Sequence, residues 1–166
     1  MENLVENISK SVAIELLFEE MPTRPTANAI FREARKIFGD INIINRDEND
    51  IEFSVDKFVA YNEDNTTSPV VLAMGNITDF DDKVAVSEFE RTQIWNVANS
   101  EELLSKYKYA VKIWDVNAQR QIPKERAIML VDWLNVALKL YPKCQAIWIK
   151  SAGKLQLAQS IKNLKE

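Results

Sequence analysis

The chain has 166 residues, 46% of them hydrophobic and 28% charged, with a formal net charge of −4 and no histidine. That length suffices for one ordinary domain burying roughly 70% of its unfolded surface without a metal or disulfide. Lack of histidine excludes Ser-His-Asp and Cys-His catalysis, His-ligated zinc and a histidine general base, and the lone Cys144 excludes thiolate metal cages and any intrachain disulfide.

Leu4, Val5 and Ile8 suggest a short amphipathic helix over 2–9. Val12, Ile14, Leu16 and Phe18 alternate with period two, which predicts a strand with one face inward, ended by Pro22 and Pro25. A helix opens at Pro25 or Thr26: Ala27, Ile30, Phe31, Ala34, Ile37 and Phe38 follow helical spacing, and Gly39 sits at the C-cap. Ile41 to Ile44 reads as a strand and completes a first β-α-β unit. After the polar turn 45–50, Ile51, Phe53, Val55 and Val59 predict a hairpin strand. Asp47, Asp50 and Asp56 lack the D-x-[DN]-x-[DN]-G order and closing glutamate of a calcium loop, so a solvated turn is expected there.

Pro69 to Met74 is a near-continuous apolar run ending at Gly75, as in an interior strand. Asp79, Asp81 and Asp82 could hold a magnesium, but turn chemistry and solubility account for them more simply. Phe89, Ile94 and Trp95 suggest a short helix within 84–97. Asn99 and Ser100, followed by Glu101 and Glu102, signal the start of another, running to about Lys106. Tyr107, Tyr109, Val111 and Ile113 then form a half-buried strand whose register turns Asp115 inward at its C-terminal end.

Pro123 at the first helical position opens the longest helix, with Glu125 in the first turn and Lys139 in the last, as the helix dipole prefers. Ala127, Leu130, Val131, Leu134, Ala137, Leu138 and Tyr141 are read as its sheet-facing stripe. A second stripe of Met129, Trp133, Val136 and Leu140 also needs cover, either from the C-terminal helix or from another protein. Pro142 ends this helix, Gln145 to Lys150 reads as a strand, Gly153 as a turn, and Leu157, Ile161 and Leu164 as a final helix over 155–165. The expected fold is one α+β domain over 1–166, a mixed β-sheet with helices packed mainly on one face and two β-α-β units in a doubled ferredoxin-like plan. A parallel-rich α/β sheet is the alternative.

Charge is uneven along the chain: residues 1–100 hold 9 Lys+Arg against 19 Asp+Glu, and residues 101–166 hold 12 against 6. The acidic part would repel phosphate, which argues against nucleic acid and suits a basic partner or plain solubility. With no signal peptide at Met1–Lys10 and no membrane-length apolar run, a cytoplasmic protein away from membranes is expected. The glycines Gly39, Gly75 and Gly153 build neither a G-x-G-x-x-G nor a Walker loop.

Trp95, the strand from Tyr109 to Asp115, Lys124-Glu125-Arg126, Tyr141-Pro142, Ala146-Ile147-Trp148 and Gly153-Lys154-Leu155 resemble the bacterial domain-of-unknown-function family 4261, most strongly over 95–155. The resemblance implies a bacterial origin and a compact α+β domain, and it carries no activity. Proximity of some relatives to secretion and toxin genes implies a partner-binding role.

The expectation is therefore a non-enzymatic interaction protein, such as an immunity or adaptor protein, without cofactor or metal. Its partner would be another, basic protein engaged through Glu48, Asp50, Glu63, Asp81, Asp82 and Trp133, with the oligomeric state left open. The alternative is an enzyme or small-molecule-binding protein using Asp115 with Lys124 or Arg126 at the mouth of the strand. A buried Asp115–Arg126 ion pair is the structural reading of the same residues, and it is preferred.

Overall fold

The computed structural model describes residues 11–47, 49–81, 85–93, 100–118 and 120–163. In chain order its elements are β1 (Ala13–Phe18), α1 (Ala27–Phe38), β2 (Ile41–Arg46), β3 (Asp50–Tyr61), β4 (Thr67–Asp79), α2 (Glu88–Gln93), α3 (Ser100–Lys106), β5 (Tyr109–Val116), α4 (Pro123–Leu140), β6 (Ala146–Ile149), a 3-10 turn (Lys150–Ala152), β7 (Lys154–Leu157) and α5 (Ala158–Asn163). The expected helix over 2–9 lies outside the described residues, as do Ile94 and Trp95 of the helix expected within 84–97, whereas Phe89 of that helix, read from the sequence as partly buried, is 71% exposed.

The α+β class holds, but the sheet is not mixed. Its seven strands run in the order β2-β3-β4-β5-β1-β6-β7, and every neighbouring pair is antiparallel. The two β-α-β readings fail on adjacency rather than direction. β1 and β2 point the same way with β5, β4 and β3 between them; β5 and β6 point the same way with β1 between them. This order does not confirm a doubled ferredoxin-like plan.

Alternation gives the sheet two apolar faces. On one lie α1 and α4, over a core of Leu16, Phe18, Phe53, Leu72, Met74, Val111 and Ile113. On the reverse face, Leu17, Phe80, Val86, Leu104, Tyr107, Trp148 and Leu155 form a smaller core. Helix α2 packs against β7 and α3 at that corner. The expectation of helices mainly on one face thus fits α1, α4 and α5, whose Ala158 and Ile161 join the larger core, and not α2 and α3.

Local chemistry sets the helix ends. Thr26 caps α1 by accepting a hydrogen bond from the Ala29 N–H at 3.1 Å, and Gly39 closes it with a φ of 74° that side chains rarely adopt. Pro123 opens α4, where its missing N–H would have no intrahelical partner. Glu33 of α1 accepts from Lys139 of α4 at 3.0 Å and from Lys36 at 2.9 Å, and these two cations hold its carboxyl below the usual range.

The sheet-facing stripe of α4 differs from the expected one. Of the expected residues Leu134, Ala137, Leu138 and Tyr141 are buried, but Met129, Trp133 and Val136 of the second stripe are buried with them, while Val131 is 56% exposed and Ala127 is exposed as well. Trp133 decides the rotation. Its ring stands edge-on to Phe53 with centroids 5.2 Å apart, and its indole N–H donates to the Ala73 carbonyl at 3.1 Å. Only this orientation buries the largest side chain of the helix and satisfies its one polar atom.

The C-terminal segment is also corrected. Lys154 to Leu157 alternates with period two and pairs with β6, so only Ala158–Asn163 is helical, and Leu164 lies outside the described residues. The sheet and Phe53, rather than the terminal helix, cover Trp133.

Candidate functional site

The predicted site residues do not gather in one place. Glu48 and Asp82 lie outside the described residues. Asp81 is exposed beyond the end of β4, and the exposed Glu63 accepts from Arg120 at 2.8 Å. Trp133 is fully buried and presents nothing to a partner, which corrects its expected role as an anchor.

Asp115 and Arg126 meet as expected, while Lys124 is exposed in the first turn of α4 and stands apart from the pair. Asp115 is 0% exposed. Its Oδ2 accepts from Arg126 Nε at 2.7 Å, and its Oδ1 accepts from Arg126 Nη2 at 3.0 Å and from the Val12 N–H at 2.8 Å. Both oxygens are therefore occupied within the fold, and a ligand would have to displace a bidentate guanidinium to reach them. Among the described residues, no group of three or more His, Cys, Asp or Glu side chains could hold a metal ion.

The remaining member, Asp50, lies on the reverse face of the sheet, within a larger arrangement. Residues directly opposite across strands share a face. Glu52 of β3, Ala73 of β4, Trp114 of β5 and Ala13 of β1 form one row, and Asp50 with Gly75 begins the next. A Cβ on Gly75 would stand 3.3 Å from Trp114 Cζ3 and 3.7 Å from Asp50 Oδ1, so the half-buried indole leans over the glycine beside the carboxylate. Asn42 of β2, opposite Ser54, donates toward Asp56 at 3.5 Å and brings that acid onto the same face. With strands about 4.8 Å apart, Glu52 and Trp114 are about 10 Å from each other. Around Trp114 this face carries Glu15, Asp50 and Glu52 against Lys112, with Asp56 further along β3.

No described helix covers this part of the sheet, because α2 and α3 sit over the corner formed by Leu17, Ala110, Trp148 and Leu155. Sequence reasoning missed Trp114, Glu52 and Asp56 as a group. The signal was a tryptophan at an outward position of β5, in the register of Lys112 and on the side opposite Asp115.

Sequence reasoning also missed a buried carboxylate at the covered corner. Glu90 is 5% exposed and forms a reciprocal capping box with Ser87: Glu90 Oε1 accepts from the Ser87 N–H, and Ser87 Oγ accepts from the Glu90 N–H, both at 3.1 Å. Its Oε2 accepts from the Trp148 indole N–H. Burial pushes the Glu90 carboxyl upward, but the hydrogen bonds from Trp148 and Ser87 outweigh it and hold the group below the usual glutamate value. Nearby, the Gln93 amide donates to the Gly153 carbonyl at 2.7 Å and accepts from the Leu155 N–H at 3.1 Å, binding α2 to the outer edge of β7.

No described helix is long and apolar enough to cross a membrane. No protein-family model, curated protein or solved structure matches the chain.

Proposed function

We propose that the chain is a protein-interaction module, of the adaptor or immunity type, that receives a basic segment of another protein on the reverse face of β3, β4 and β5. The observation that carries this reading is the half-buried Trp114 seated over Gly75, with Asp50 beside it and Glu52 in its own row, on a part of the sheet that no described helix covers. A half-exposed indole supplies a flat apolar contact and a face that attracts guanidinium or ammonium groups. The carboxylates around it steer a cationic partner and reject acidic ones. Of the acids expected to engage the partner, Asp50 belongs to this face, whereas Glu63 is tied to Arg120.

Affinity purification of the full chain from its native host tests the reading, with the triple variant Asp50→Asn, Glu52→Gln, Trp114→Ala as comparison. A stoichiometric basic protein held by the wild type and lost by an equally stable variant is the expected result. Its on-rate should fall between low and physiological salt, because exposed charges are screened beyond about 8–10 Å. Equal retention by both forms places the interface elsewhere. A bound metabolite in place of a protein favours the small-molecule alternative.

A further inference from the structure

A cleft of 240 Å³ lies where the start of α1 meets the end of β2, lined by Arg24, Pro25, Thr26 and Ala27 of the segment entering α1 and by Arg46, Asp47 and Ile51 of the β2–β3 hairpin. It sits on the helix side of the sheet, because Arg46 stands opposite Ile51, a member of the larger core. The acidic first part of the chain has a local exception here. Residues 24–46 hold five Lys+Arg against two Asp+Glu.

Neutral groups hold both guanidiniums in place. Arg46 Nη2 donates to Asn28 Oδ1 at 2.9 Å, and its guanidinium carbon stands 5.9 Å from the centre of the Phe31 ring. Arg24 Nη2 donates to the Asp47 carbonyl at 3.3 Å, and Pro25 after it restricts its backbone to extended conformations. Arg120 and Arg126 meet carboxylates, but among the described residues neither Arg24 nor Arg46 has an ion pair. A guanidinium carries five N–H donors, and these bonds use one on each. Asp47 also lines the cleft, but its Oδ1 is engaged by its own turn, accepting the Asn49 N–H at 2.8 Å and the Asp50 N–H at 2.9 Å. Two cations against one engaged carboxylate leave the described lining positive. The N-terminal end of α1, with no acidic residue in its first turn, adds in the same direction.

We propose that this cleft binds the phosphate group of a small phosphomonoester, with its oxygens shared between Arg24 and Arg46 and its body against Pro25 and Ala27. A carboxylate has two oxygens in one plane and is filled by a single arginine, as Asp115 is by Arg126. Two guanidiniums from separate segments suit a group with three terminal oxygens and a charge of about −1.5 to −2. Because both are already positioned, they lose little side-chain freedom on binding. The volume, below the roughly 300–1,000 Å³ of pockets for drug-sized ligands, fits a small ester. The two guanidiniums, rather than the helix end, set the site. It lies across the sheet from Trp114 and does not depend on the reading given to that face.

Phenyl phosphate is titrated into the isotope-labelled full chain in phosphate-free buffer and followed by amide and arginine Nε–H chemical shifts, with benzoate and inorganic phosphate as comparison probes. Saturable shifts at Arg24, Thr26, Ala27 and Arg46 are expected with phenyl phosphate, and binding about tenfold weaker with benzoate. Inorganic phosphate, which lacks the apolar body, should shift the same residues and bind more weakly. Arg24→Gln and Arg46→Gln should each weaken phenyl phosphate about tenfold. Arg32→Gln, at an exposed position of α1 outside the cleft, should leave its affinity unchanged. Absence of saturable shifts, affinity for phenyl phosphate no greater than for benzoate or inorganic phosphate, undiminished binding by the folded Arg24→Gln and Arg46→Gln variants, or an equal loss with Arg32→Gln would each overturn the assignment.

Discussion

The guanidinium of Arg126 bridges both oxygens of Asp115, at 2.7 and 3.0 Å, while the same carboxylate accepts the Val12 N–H. One pair thus fixes the start of α4 to the end of β5 and to the residue preceding β1. Arg126→Ala leaves a fully buried carboxylate without its cation and should cost about 3–5 kcal/mol. Lys124→Ala, two residues away and exposed, should stay within about 0.5 kcal/mol of wild type. Denaturant midpoints at constant m-value separate the two, and an Arg126→Ala midpoint equal to wild type would contradict the role given to the pair.

Trp133 provides a second test. Trp133→Phe keeps an aromatic edge on Phe53 but removes the indole N–H donated to the Ala73 carbonyl, an expected loss of about 0.5–1.5 kcal/mol. Trp133→Ala adds a cavity and should cost about 3–5 kcal/mol. Truncation after Gly153 should also destabilise the protein, by unpairing β6 and removing the buried Leu155 and Ala158. Because Trp133 is covered by the sheet, its indole N–H should remain protected from exchange in whatever fraction of the truncated chain stays folded.

At high pH the tyrosines control stability. Burial pushes the phenols of Tyr107 and Tyr141 up from 10.0 to about 12. A folded value above the unfolded one contributes stability that is complete below pH 10 and lost as pH rises toward 12. The loss is about 2–3 kcal/mol for each tyrosine. Equilibrium unfolding measured across this window should steepen accordingly, and Tyr141→Phe should remove about half of the decline. A flat profile between pH 10 and 12 would count against burial of both hydroxyls.

Glu90 acts at the acid end with the opposite sign. Its folded value lies below the ordinary 4.5, so its contribution is present above that pH and disappears as pH falls through the lowered value. Glu90→Gln cannot titrate and should flatten the acid limb of the stability curve while lowering stability near neutrality, since one acceptor of the Trp148 or Ser87 N–H is weakened. Trp148 should be released early in acid unfolding, visible as a red shift in its emission.

The element positions were legible wherever a segment kept a single period. Val12 to Phe18 and Tyr107 to Ile113 alternate, Ala27 to Phe38 keeps helical spacing, and each forms the expected element. Neighbour relations were not legible, because β1 pairs with β5 and β6, about a hundred residues or more away, and local pattern carries no record of that choice. The Asp115–Arg126 pair could be read because alternation turned an acid inward just before a helix with a cation in its first turn. The face of α4 could not, because its two apolar stripes are equally periodic and only the need of the Trp133 N–H for a carbonyl separates them. Ser87 and Glu90 spell a capping box three residues apart, a local signal that was present and passed over.

The Gln93 amide lies along β7 as a strand residue would, taking the Leu155 N–H and the Gly153 carbonyl that a new strand would need. At the opposite margin, β2 exposes Ile43 and Ile44 and carries a register shift between Ile43 and Asn45. The sheet is therefore polar in its capacity to grow. A strand added from outside would meet an occupied margin at β7 and an unoccupied one, among the described residues, at β2. Edge-to-edge association that uses β2 on both copies ends at a pair, whereas a filament would need two usable margins on every copy.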